Sequence, residues 1–229
     1  MSDSQPADPQ TEHHARLIYE RLLQYYGLPE WRDPLPAMDE LVSTILSQNT
    51  NDTNRDLAFN RLRAAFSTWE AVRDAPAEAV MDAIRPAGLA NQKGPRIQQV
   101  LRQITNERGS LDLDFLKGWD AEEARAWLLQ FNGVGPKTAA IVLQFALGIP
   151  AFPVDTHVHR VSGRLGLRPA EMNAEQAHPH LAALFDPQTY GPAHLNLIRL
   201  GREICHARKP NCRACPLNDL CPSAQVGSD

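Results

Sequence analysis

The sequence predicts an all-α protein, and three observations predict it. Apolar residues recur at helical spacing through most of the 229 residues, and glycines and prolines punctuate those runs where helices start and stop. Alternating strand patterns joined by hairpin turns are missing, apart from a short "SLDLDF" segment. With 43% apolar residues, the chain is long enough for one large domain or two modest ones with real cores.

The elements follow in order. "MSDSQPADPQTEHH" is polar and lacks the apolar stretch of a secretory signal, so residues 1–14 are expected to form an unstructured lead-in. "HHARLIYERLLQYYG" puts Ile18, Leu22 and Tyr25 on one helical face and stops at Gly27. "MDELVSTILSQ" groups Leu41, Val42, Ile45 and Leu46, and "AFNRLRAAF" and "PAEAVMDAI" read as short amphipathic helices. "PRIQQVLRQITNERG" carries Ile97, Val100, Leu101 and Ile104, with Gly109 as its stop. "AEEARAWLLQF", "KTAAIVLQFALG", "DTHVHRVSGRLGL", "AEQAHPHLAAL" and "YGPAHLNLIRLGREI" complete the set. Connections are short, and no solenoid period is present. No stretch reaches the roughly 18 uncharged apolar residues of a membrane span, so a cytoplasmic protein with no membrane partner is expected.

The net charge of −4 gives no support of its own to a nucleic-acid partner. Of 23 basic and 27 acidic residues, three and eight fall within residues 1–40, leaving 20 and 19, so the remainder is near neutral. The cysteines say more. All four, Cys205, Cys212, Cys215 and Cys221, lie within a C-terminal stretch spaced C-x6-C-x2-C-x5-C. A disulfide framework would spread through a small secreted fold, whereas four clustered thiolates suit zinc or an iron–sulfur cluster.

The stretch "FNGVGPKTAA" turns from a polar helix into an apolar one. It is no Walker phosphate loop, which needs four residues between its first Gly and the Gly-Lys pair and a strand before it. Gly133 and Gly135 are free to take positive φ, and Pro136 suits a first helical position. Lys137 is a misfit there, because the positive end of the helix dipole repels a cation. That repulsion favours the neutral amine a nucleophile needs. Eighteen residues on, Asp155 stands at an N-cap position before "THVHRV". Two helices whose N-termini met would set Asp155 against Lys137 as a carboxylate and its lysine. "IRPAGLANQKGPRI" echoes the hairpin with a second glycine turn, a basic residue and a helix.

"NGVGPKTAAIVL" followed by "PVDTHVHRV" resembles the helix–hairpin–helix and Gly-Pro-Asp signature of the endonuclease III family of DNA glycosylases, and the likeness runs from "ILSQNTND" through "GLANQKG" to the terminal cysteines. The resemblance implies a two-domain all-α fold with DNA in the intervening cleft. Residues 29–149 would form a six-helix, barrel-like domain, and residues 15–28 plus 150–229 a discontinuous iron–sulfur domain. It implies Lys137 as nucleophile with Asp155 as its partner, and a [4Fe–4S] cluster on the four cysteines. Gly133, Val134 and Gly135 would offer backbone amides to a phosphate, and Arg208 and Lys209 would present cations to DNA. Gln48 and Leu89 would be the wedges that fill the duplex when a nucleotide is rotated out. The implied activity is a bifunctional glycosylase/AP lyase, acting as a monomer on double-stranded DNA with oxidised pyrimidines or abasic sites. Adenine-excising relatives carry a catalytic Glu where this chain has Thr44, and they lack the hairpin lysine. Asn132 and Pro136 depart from the family pattern, the second removing one charge near the DNA.

Overall fold

A computed structural model of the chain describes residues 8–30 and 33–225. Every regular element among them is helical, and "SLDLDF" leads into a 3₁₀ turn over Asp114–Gly118 rather than a strand. No helix among the described residues is long and apolar enough to cross a membrane. The chain divides into two compact units, Pro34–Ile149 and the described residues of Met1–Asp33 with Pro150–Asp229.

The Pro34–Ile149 unit holds α2 (Ala37–Ser47), α3 (Asp52–Ala65), α4 (Trp69–Asp74), α5 (Ala77–Ala83), α6 (Ala90–Arg108), α7 (Ala121–Leu129) and α8 (Pro136–Ile141). That is one helix more than the six expected, since α4 spans only six residues, too few to show a period. Thr68 caps it by accepting from the Ala71 amide at 3.1 Å. Leu41, Ile45, Leu46, Ile97, Leu101 and Ile104 are fully buried, each such side chain contributing about 1.5–3 kcal/mol. The α6 helix begins five residues before Pro95, which the sequence suggested as its start. Gly94 lets the helix lie against Met81, whose Cγ would stand 2.9 Å from an added Cβ. The apolar run after α8 continues as a π-helical segment, Val142–Leu147, and ends at Gly148 with φ +68°.

The other unit holds α1 (Pro9–Tyr26), α9 (Thr156–Arg164), α10 (Ala174–Leu184), α11 (Tyr190–Glu203) and the cysteine loop that follows. The α1 helix corrects the unstructured lead-in over 1–14. Asp8 caps it through the Thr11 amide at 3.3 Å and Pro9 occupies its first position; residues 1–7 lie outside the described residues. Its buried face is Ala15, Ile18 and Leu22, while Tyr25 is 54% exposed and Tyr26 packs against the core in its place. Around that face gather Val158, Val161, Leu181, Leu197 and Leu200, with Cys205, Cys215 and Cys221 packed on the same core.

Candidate active site and cysteine centre

Phe131 anchors the hairpin between α7 and α8, buried and edge-on to Trp127 with ring centroids 4.7 Å apart. Gly133 takes φ +98°, whereas Gly135 is extended at φ −91° and so uses no conformation reserved for glycine. Val134 is buried, and its amide donates to the Phe131 carbonyl at 2.9 Å. That corrects the expectation that Val134 offers an open donor; its part is to pin the turn. The amides of Gly133 and Gly135 have no protein acceptor among the described residues.

Lys137 sits in the first turn of α8, half-buried. It makes no hydrogen bond or ion pair among the described residues, so nothing in its own unit compensates the helix dipole. Asp155 caps α9, its Oδ1 accepting from the Val158 amide at 2.7 Å. The capping role is therefore real. Its second oxygen is left without a partner among the described residues.

Gln48 ends α2 half-buried, with Nε2 donating to the Gly133 carbonyl at 3.0 Å and Oε1 accepting from Arg96 at 3.5 Å. Its two partners belong to the hairpin and to the helix beside it. Arg96 was not anticipated. Its side chain lies across Gly133, so that a Cβ on that glycine would collide with Arg96 Cδ and Cγ. Gly133→Ala should therefore destabilise the unit by about 1–3 kcal/mol, from positive φ and from displacing Arg96. Urea unfolding followed by tryptophan fluorescence reads this directly, because Trp127 reports on Phe131. An unchanged midpoint would mean that the hairpin relaxes freely.

Leu89 lies at the second glycine turn, 45% exposed and in the left-handed region at φ +49°. Such a conformation is uncommon for a bulky residue. Among the described residues the non-glycine positions with positive φ are Asn49, Leu89 and Lys209. One follows Gln48 and the other two are themselves sequence-nominated, so backbone strain marks all three segments.

The cysteine loop is held by α9. Arg164 donates to Cys205 Sγ at 3.3 Å and to the carbonyls of His206 and Ala207 at 2.7 and 3.0 Å. Arg160 donates to the carbonyls of Cys205 and Gly201. These two arginines went unremarked in the sequence, though their i, i+4 spacing on one helix was a signal that they act together. Arg208 and Lys209 are exposed on the loop. No three His, Cys, Asp or Glu side chains among the described residues converge on a single-ion site. The four cysteines instead line one cavity of about 490 Å³, and none is in a disulfide. Burial pushes the Cys215 and Cys221 thiols up, and the neighbouring thiols push them further. Four sulfurs spread around one cavity fit a cluster that takes one thiolate per iron and offsets their mutual repulsion.

Residues 42–187 match the family described as HhH-GPD superfamily base excision DNA repair protein, and residues 205–221 match the iron–sulfur binding domain of endonuclease III. The chain is 36% identical to endonuclease III of Thermotoga maritima, over 79% of this chain and 80% of that one. It is 42% identical to a putative DNA glycosylase of Arabidopsis thaliana over 63% of this chain, and spans half the length of that relative. A structure described as a trapped endonuclease III–DNA covalent intermediate superposes with a TM-score of 0.81 at 26% identity, covering 93% of this chain and 96% of that one. A thermostable thymine-DNA glycosylase shares the fold, with a TM-score of 0.79 at 22% identity over 93% and 98% of the two chains.

Proposed function

The chain belongs to the HhH-GPD superfamily of base excision DNA repair proteins, and on that footing we propose that it is a bifunctional DNA glycosylase/AP lyase, acting as a monomer on oxidised or ring-reduced pyrimidines and abasic sites in duplex DNA. One observation carries this reading. Lys137 stands in the first turn of a helix, half-buried and with no partner among the described residues to fix or neutralise it. A lysine placed against the dipole with no structural bond to make is suited to covalent chemistry.

Lys137 loses its extra proton to Asp155, whose second oxygen is unengaged, and the free amine attacks C1′ of the sugar. The N-glycosidic bond breaks, and the base leaves with its electron pair and a proton. The C1′–O4′ bond of the resulting aminal then opens, O4′ taking the proton held by Asp155 while the nitrogen lone pair forms the iminium; the iminium acidifies the C2′ protons, loss of one expels the 3′ phosphate, and water then releases the enzyme. Asp155 also stabilises the positive charge that develops on the sugar. The amides of Gly133 and Gly135 bind a backbone phosphate, while Gln48 and Leu89 occupy the space left by the extruded nucleotide. A [4Fe–4S] cluster on Cys205, Cys212, Cys215 and Cys221 shapes the loop that presents Arg208 and Lys209 to DNA, and supplies no reacting group.

Borohydride trapping on an abasic-site duplex tests the lyase, and a covalent adduct is the expected result. Its absence would reduce the protein to a monofunctional glycosylase or a DNA-binding module. A panel of duplexes bearing thymine glycol, a G·T mismatch, a pyrimidine dimer or an abasic site tests the lesion choice. Thymine glycol and the abasic site should turn over fastest.

A further inference from the structure

Lys93 is 2% exposed, the largest fully buried side chain among the described residues. Like Lys137 it sits near a helix N-terminus, where the dipole disfavours it. Its partners explain the placement. Nζ donates to the Leu46 carbonyl at 2.7 Å and to the Ala87 carbonyl at 2.8 Å. Leu46 lies in the last turn of α2, two residues before Gln48, and Ala87 lies two residues before Leu89. Each segment then enters left-handed backbone at a non-glycine residue, Asn49 at φ +54° and Leu89 at φ +49°. Burial pushes the ammonium down to about 8, so it remains a cation at neutral pH. A buried charge without a carboxylate is costly, and an apolar residue of similar size often serves stability as well. Two short charge-assisted bonds do what such a residue cannot, which is to fix the distance between two chain segments.

We propose that Lys93 is a positioning residue that holds the Gln48 and Leu89 segments at one spacing, so that both enter the duplex together. The inference rests on the proposed wedge roles of Gln48 and Leu89. A lesion in matched duplex requires both wedges, whereas the same lesion in an unpaired bubble does not.

The test compares Lys93→Met with the parent, as full-length, iron-loaded protein, on those two substrates. Misplacement by about 1 Å costs on the order of a hundredfold, so the duplex rate should fall by about that factor and the bubble rate by about threefold or less. Equal losses on both substrates would overturn the proposal. Combining Lys93→Met with Gln48→Ala and Leu89→Ala should add little to the wedge losses, because the residues act as one unit; strict additivity would overturn it as well. Lys93→Gln keeps N–H donors and should show a smaller duplex-selective loss. If the Met protein does not fold, the Gln protein decides by the same duplex-to-bubble ratio. Should Gln48→Ala and Leu89→Ala both keep the full duplex rate, the wedge reading falls and Lys93 with it. Should they lose it while both Lys93 variants do not, only the Lys93 proposal fails.

Discussion

Lys137→Ala should give no borohydride-trapped adduct on an abasic-site duplex and should cut that duplex roughly 10⁴-fold more slowly, the scale on which a reacting group is lost from an assembled site. Stability should move the other way. Lys137 makes no hydrogen bond or ion pair among the described residues, alanine is the best helix former, and removing a cation from a first turn relieves about 0.3–1 kcal/mol of dipole repulsion. An unfolding temperature equal to or above the parent's, with the adduct gone, is the signature of a residue kept for chemistry. A persistent adduct would assign the nucleophile elsewhere. Asp155 separates differently, because it also caps α9 through the Val158 amide. Asparagine caps as well as aspartate, so Asp155→Asn should keep the helix and lose about 10²–10⁴-fold in rate. Asp155→Ala should lose about 1 kcal/mol of stability besides. If Asn and Ala behaved alike in both measurements, Asp155 would be a cap and nothing more.

The same signal in the sequence, a lysine where a helix begins, turned out to mark two different things. At Lys137 it marks a side chain without a partner; at Lys93 it marks one whose partners are carbonyls 47 and 6 residues away in sequence. Local electrostatics shows that a residue is misplaced in its own helix, but not what stands opposite it. That limit explains most of what the sequence did not reveal. Periodicity located the long helices and their cores, because a buried face repeats every turn whatever it packs against. The α4 helix is too short to repeat, and Pro95 sits inside α6 where the usual rule puts proline at a start. Arg96 is an ordinary polar position until folding brings Gly133 against it, and the i, i+4 pair Arg160 and Arg164 shows a shared helix face but not the cysteine loop that folds onto it. The cysteines were legible because their chemistry requires closeness, and closeness in sequence was enough to suggest it. Leu89 was legible only by resemblance; its left-handed backbone and 45% exposure are three-dimensional facts.

Cys215→Ala should yield protein without its iron, and its loop should become open to proteolysis between residues 205 and 221. Four thiols crowded around one cavity of about 490 Å³ repel as thiolates, so the free energy of binding the cluster is also what folds the loop. Loosening it takes from Arg164 its bonds to Cys205 Sγ, His206 and Ala207, while Arg160 keeps its bond to the Gly201 carbonyl within α11. Both arginines belong to the helix that Asp155 caps, so the loss should reach the α9 N-terminus as well as the loop. DNA binding distinguishes the two routes. Arg208→Ala with Lys209→Ala leaves the cluster in place and should make the slope of log Kobs against log salt shallower by about 1.8, at about 0.9 per phosphate contact. Cys215→Ala should flatten that slope at least as much and also slow cleavage at saturating DNA, where weaker binding no longer matters. A Cys215→Ala protein with normal cleavage at saturation would confine the loop to phosphate contacts. One that kept a full complement of iron would show that Cys215 is not a ligand.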